Sequence, residues 1–135
     1  MRAIPLLVTA AALAACTTQP PGPYRTAERQ AEFQKLTLGK VAGKPISCLS
    51  HTRAEDMTVI DDRTIAFREG GSRVYVNNMR AECTNLDNGR NVLVTRSPMS
   101  QICRGDIAQV IDSLNHFPVG SCVFGDFVPY TTASR

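Results

Sequence analysis

Cys48 and His51 have the spacing of half a zinc knuckle, and His116 stands six positions before Cys122. A thiolate metal site needs reduced cysteines, which an exported protein does not keep, so no metal is expected here. His51 and His116 are the only two histidines available as a base. No Gly-x-Ser-x-Gly elbow supplies a nucleophile for either of them. Asp61 and Asp62 could be imagined as acid and base, yet adjacent residues at a turn are poorly placed to flank one scissile bond, and Asp61-Asp62-Arg63 reads instead as turn chemistry. Arg104-Gly105-Asp106 matches a cell-adhesion tripeptide, but beside Cys103 its glycine more simply supplies a tight turn entering a strand. The expectation is a chain with no catalytic residue, no metal and no cofactor.

The fifth cysteine points to different chemistry. Leu13-Ala14-Ala15-Cys16 closes an apolar run that begins at Ala3 and looks like a bacterial lipobox. In that motif cleavage falls before the cysteine, whose thiol then carries a diacylglyceryl group. The 13 residues from Ala3 to Ala15 are fewer than the roughly 20 that a membrane-crossing helix needs. With Met1 and Arg2 ahead of them and small residues at the end, residues 1–15 read as a signal peptide. Lipid on Cys16 would hold the mature chain to the membrane with two or three acyl chains, since one alone binds only marginally. Thr17 stands where an aspartate is associated with retention at the inner membrane of Gram-negative bacteria, which favours the periplasmic face of the outer membrane.

Removing 15 residues from 135 leaves 120, enough for one modest domain. Without Arg2 the chain keeps 14 of its 15 Lys plus Arg against 12 Asp plus Glu, a net +2. The arginines are scattered singly, and with no basic stripe no nucleic-acid partner is expected.

Cys48, Cys83, Cys103 and Cys122 make an even number in an exported chain, hence two disulfides with three connectivities open. Pairing Cys48 with Cys122 would tie the first and last strands of a closing sheet, and Cys83 with Cys103 would brace a buried strand, so this pairing is preferred.

The elements that must position these residues follow in order. Thr17-Thr18-Gln19-Pro20-Pro21-Gly22-Pro23 is a stiff tether. Residues 26–38 have helical composition with Phe33 and Leu36 three apart, which favours a short helix ended by Gly39 over a longer linker. Residues 46–51, 58–60, 64–68 and 73–77 read as short strands, the last three forming a meander. Residues 79–86 suit a helical turn or a loop. Residues 91–96 (Asn-Val-Leu-Val-Thr-Arg) are continuous enough to be a strand buried on both faces at its centre. Residues 107–114 fit strand or helix, and their β-branched content favours strand. Residues 120–130 read as one final strand with Gly125 as a bulge or close-approach point.

The blocks Ile60-Asp61-Asp62-Arg63-Thr64-Ile65, Ile102-Cys103-Arg104-Gly105-Asp106 and Gly120-Ser121-Cys122-Val123-Phe124-Gly125-Asp126-Phe127 resemble a family of small proteobacterial envelope proteins of unknown function. The resemblance spans residues 42–130, implies an envelope location and a small β-rich domain, and brings no catalytic residues. The expected fold is all-β: a small antiparallel barrel or barrel-like sheet of five to six strands. The expected division is a signal peptide over 1–15, lipidated Cys16 with tether and short helix over 16–38, and a disulfide-braced β domain over 39–135. The expected function is a non-catalytic envelope lipoprotein, held to the membrane through Cys16, that binds or braces a protein or cell-wall partner. The alternative is an inhibitor of an envelope-attacking enzyme such as lysozyme, which rests on analogy with other small disulfide-bonded β-barrel lipoproteins.

Cys16→Ser should abolish lipidation and leave uncleaved precursor or a soluble form. Labelling cells with a palmitate analogue checks this, and unchanged incorporation in the variant would overturn the lipobox reading.

Overall fold

The computed structural model describes residues 25–133. Cys16, the signal peptide over 1–15 and the Pro-rich tether lie outside the described residues.

Thr26 caps the helix α1 (Ala27–Thr37) by accepting the Arg29 N–H on its hydroxyl at 3.3 Å. Glu28 in the first turn and Lys35 in the last complement the helix dipole. Gly39, with φ of +70°, turns the chain out of the helix. No residue of α1 is fully buried. Its apolar stripe is Phe33 and Leu36, which pack on Ile60, Ala66, Val74 and Val76.

Those four residues belong to a five-stranded antiparallel sheet in the order β1 (Lys40–Ala42), β10 (Phe127–Thr132), β5 (Arg73–Asn78), β4 (Thr64–Glu69) and β3 (Asp56–Asp61). The expected meander is β3–β4–β5. Its second face carries Ile65, Phe67 and Tyr75 into the main core. Because α1 covers one face and a second layer of strands the other, Thr64 to Phe67 are buried at four consecutive positions.

The second layer holds two smaller sheets. One is the three-stranded sheet β6 (Asn91–Thr95), β8 (Ile107–Asp112) and β9 (Pro118–Val123), and the other pairs β2 (Cys48–Ser50) with β7 (Gln101–Cys103). Leu93, Ala108, Val110 and Cys122 face inward from the first, and Leu49 and Ile102 from the second. Phe124 and Phe127 fill the space between layers, with ring centroids 6.0 Å apart. The segment linking β5 to β6 adds Met79, Cys83 and Leu86, the last opening a short 3-10 turn, Leu86–Asn88.

The fold is therefore mostly β, antiparallel throughout and sandwich-like, with none of its sheets closed into a barrel. Three expectations are corrected. The segment 46–51 does not pair along the final strand; a single bridge, Ile46 to Phe127, joins them, and β2 runs beside β7 instead. The final strand is two strands, β9 and β10, which lie in different sheets. And β6 is not buried on both faces: Val92 and Val94 are 47% and 38% exposed, because β6 lies in an outer sheet whose far face no other described element covers.

The break between β9 and β10 centres on Gly125. A Cβ there would sit 2.1 Å from the Asn78 carbonyl oxygen, so only glycine fits. The fully buried Asn77 amide donates to the Gly125 carbonyl at 2.9 Å and accepts the Gly125 N–H at 3.0 Å. Both backbone groups of the crossing are thus satisfied where water cannot reach.

The disulfides are Cys48–Cys103 and Cys83–Cys122, not Cys48–Cys122 and Cys83–Cys103. Cys48 and Cys103 are directly opposed on β2 and β7, with Cα atoms 4.0 Å apart. Cys83 reaches the inward side of β9 at a Cα separation of 4.7 Å. The preferred pairing failed because it assumed a closed sheet whose first and last strands meet. Loops of 55 and 39 residues give about 4 kcal/mol each in the chain-entropy model.

Peptide mapping without reduction should recover Cys48 linked to Cys103 and Cys83 linked to Cys122. Recovery of Cys48 with Cys122 would contradict the pairing of β2 with β7.

Candidate functional site

The residues singled out for chemistry are not brought together. Cys48 and Cys122 are oxidised in different bridges, which removes both thiolates from any ligand set. Among the described residues no group of three His, Cys, Asp or Glu could hold a metal ion. His51 opens a short turn whose N–H donates to the Ser100 carbonyl, beyond the end of β6. His116 is in the β8–β9 hairpin, whose Ser113 bonds to Arg90 before the start of β6.

Asp61 and Asp62 form the β3–β4 turn, and each has a structural task. Asp61, 5% exposed, accepts Arg25 Nε at 2.8 Å and the Arg63 N–H at 2.7 Å. Arg25 also donates to Thr64 at 2.9 Å and lies 4.5 Å over the Phe33 ring, so this ion pair fastens the start of the helix to the sheet. Asp62 accepts the Asp87 N–H at 2.8 Å and, through its carbonyl, the Cys83 N–H at 2.7 Å. Arg29 bridges from α1 to Asp87 as well. The two carboxylates thus hold α1 and the β5–β6 connection, and a cavity of about 390 Å³ beside Arg25, Asp61 and Thr64 is lined by groups already paired.

Arg104-Gly105-Asp106 is a turn between β7 and β8. Gly105 has φ of +92°, and Asp106 accepts the Cys103 N–H at 2.8 Å. Arg104 reaches Asp126 at 3.4 Å on the rim of an open groove of about 740 Å³ that also contains Arg80 and Asn78. The tripeptide's aspartate is half-buried and bonded to its own turn, so it is not displayed as an adhesive loop would need.

What the structure presents instead is the outer face of β6–β8–β9. The outward positions of β6 run Arg90, Val92, Val94, Arg96, all exposed. Ile107, 64% exposed, is opposite Val123, and half-buried Ile111 is opposite Val92. Val119 extends the surface along β9, with Gln109 and Ser121 between the apolar rows. Antiparallel sheets with one wet face normally alternate apolar inside with polar outside. Here apolar side chains stand on both sides of the outer sheet, an arrangement that departs from that alternation.

Residues 1–125 match the model of a family of unknown function, DUF6491. The chain belongs to that family. The match begins ahead of the span 42–130 that carried the resemblance, and so includes the segments 1–15 and 16–38. No curated protein and no solved structure matches the chain. Family membership therefore adds no activity, and the surface must be read from its own chemistry.

The continuous apolar run Val92-Leu93-Val94 suits a doubly buried strand as well as an outer one, and so hides the apolar outer face in the sequence. The signal was present in the flanks: Arg90 and Arg96 share the parity of Val92 and Val94, and two arginines would not be placed on a buried face without partners. At the hairpin end of this face, Asp112 accepts the N–H groups of Leu114 at 2.8 Å and Asn115 at 3.0 Å. The Asn115 and Leu114 N–H groups, with Arg90 and His116 nearby, hold its carboxyl below the ordinary carboxylate range.

A depressed folded value means that the stability from Asp112 is present above the unfolded value and is lost as pH falls through the folded one. The Leu114 and Asn115 amide shifts should titrate together with a midpoint below that of an unperturbed aspartate. A midpoint at or above that ordinary value would contradict the hairpin geometry.

Proposed function

We propose that this chain is a non-catalytic lipoprotein of the bacterial envelope, anchored through acylated Cys16, that binds a protein or cell-wall partner on the outer face of β6–β8–β9. The observation that carries this reading is the uncovered apolar surface of Val92, Val94, Ile107 and Val119, 37–64% exposed, on the only layer of the described domain that lacks a cover. The acids that could have served in catalysis support it too, since Asp61, Asp62 and Asp106 each hold a neighbouring segment in place. A periplasmic setting on the outer membrane agrees with Thr17 after the lipobox cysteine and with two disulfides. A proteobacterial source fits the blocks that carry the family resemblance.

A photoreactive residue placed at Val94 or Ile107 in cells should give a discrete adduct in the envelope, whereas one at exposed Glu28 on α1 should not. Equal labelling from both faces would remove the sheet surface as the binding site. Adducts formed only with added lysozyme would turn the reading toward an inhibitor.

A further inference from the structure

The β8–β9 hairpin ends in a tip built unlike an ordinary solvent loop. Leu114 and Phe117, two large apolar side chains three positions apart, are 72% and 69% exposed. Much of the N–H inventory beneath them is paired within the hairpin. Leu114 and Asn115 donate to the Asp112 carboxylate, His116 donates to the Asp112 carbonyl at 2.9 Å, and Asp112 donates to the Phe117 carbonyl at 3.0 Å. The Ser113 hydroxyl donates to the Arg90 carbonyl. These bonds do not depend on water, which lowers the cost of bringing the tip to a membrane interface, where the remaining carbonyls stay hydrated. It is also ordered beforehand, so little conformational entropy is lost on docking.

A relay of contacts links the base of the tip to the first turns of α1, near where the described chain begins: Arg29 on α1 reaches Asp87, Asp87 is held by Asp62, Asn88 accepts the Arg90 N–H at 3.0 Å, and the Arg90 carbonyl accepts Ser113. Eight residues lie between Cys16 and Arg25, nine Cα steps with a reach of at most about 30 Å. A bilayer holding an acylated Cys16 is therefore within reach of this end of the domain at all times, at high effective concentration.

We infer that Leu114 and Phe117 insert into the interface of the bilayer on which the chain is anchored, fixing the orientation of the domain and leaving the outer sheet to its partner. This rests on the lipid-anchor reading above. Lipid fits better than a second copy of the chain. Two side chains on a narrow tip cannot supply the roughly 800 Å² per partner of a stable protein interface, but they suffice to orient a body already tethered. The charges agree, since Arg90 lies beside the tip while the carboxylate within it, Asp112, is engaged by backbone N–H groups. Anionic headgroups would meet the Arg90 guanidinium at that rim.

The chain has no tryptophan, so one can be introduced as a sole reporter. Full-length protein carrying Phe117→Trp, or Met99→Trp in the exposed β6–β7 loop at the other end of the sheet, is placed in vesicles of phosphatidylethanolamine and phosphatidylglycerol, and intact mass reads acylation at Cys16. The Phe117→Trp variant should emit at shorter wavelength, be quenched by brominated acyl chains and resist iodide, while Met99→Trp should do the reverse. Adding Leu114→Ser should lower the inserted-to-free ratio about ten-fold, the effect of one exposed leucine returned to water. Iodide access at position 117 with Cys16 acylated would overturn the inference and leave the anchor standing. Shielding without quenching by bromolipid would mean that protein covers the tip, and would overturn it too. Unmodified Cys16 with quenching intact would overturn the anchor and keep the insertion; unmodified Cys16 without quenching would remove both.

Discussion

The architecture depends on one buried amide. Asn77 grips both backbone groups of Gly125 at the point where the chain leaves the three-stranded sheet and enters the five-stranded one. Without that clamp, a peptide with two polar groups would cross the core unpaired, at a cost of about 1–3 kcal/mol for each group. The absence of a side chain at position 125 is what lets the crossing pass against the Asn78 carbonyl. A second contact of the same kind lies at Gly120, where a Cβ would meet the Thr84 carbonyl oxygen at 2.4 Å. Together they bring the β5–β6 connection against β9, and Cys83–Cys122 joins the same two segments covalently.

From this crossing follows the unequal treatment of the two layers. Sending β10 back between β1 and β5 completes the sheet on which α1 docks, so that sheet is covered twice and its central strands are apolar on both faces. The helix is a weak one by composition and stays in place through Arg25 with Asp61 and Arg29 with Asp87 rather than through buried area. The three-stranded sheet has only one covered side, and its other side keeps Val92, Val94, Ile107 and Val119 in water. A face of that composition costs solubility and draws association, which is why it is the surface assigned to a partner.

Local patterns were sufficient for several elements. Helical composition over 26–38 and the Gly39 stop bounded the helix, the β3–β4–β5 alternation marked the meander, the β-branched run at 107–112 was strand, and the glycine at 125 was a point of close approach. An even set of four cysteines, Cys48, Cys83, Cys103 and Cys122, pointed to two disulfides, and two are present. In each case the deciding interaction lies within a few residues or in a property of the residue itself. A helix cap, a two-residue period and a missing Cβ are written where they act.

Which strands lie side by side was not written locally. Cys48 could oppose Cys122 or Cys103 with equal propensity, and the choice fell to Cys103 because the crossing at Gly125 divides the last segment between sheets and leaves β2 beside β7. The same applies to Val92-Leu93-Val94: its residues suit a central or an outer strand, and only its place at the edge of β6–β8–β9 puts two valines in water. Arg25 and Asp61, 36 residues apart, show the point again, for neither has a local signature of pairing. The amino-acid order by itself determined the helix, the meander, the strand at 107–112 and the presence of two disulfides. Tertiary packing alone decided the partners and the exposed face, because those depend on competition among distant segments for the same core, a free-energy difference no window of adjacent residues contains.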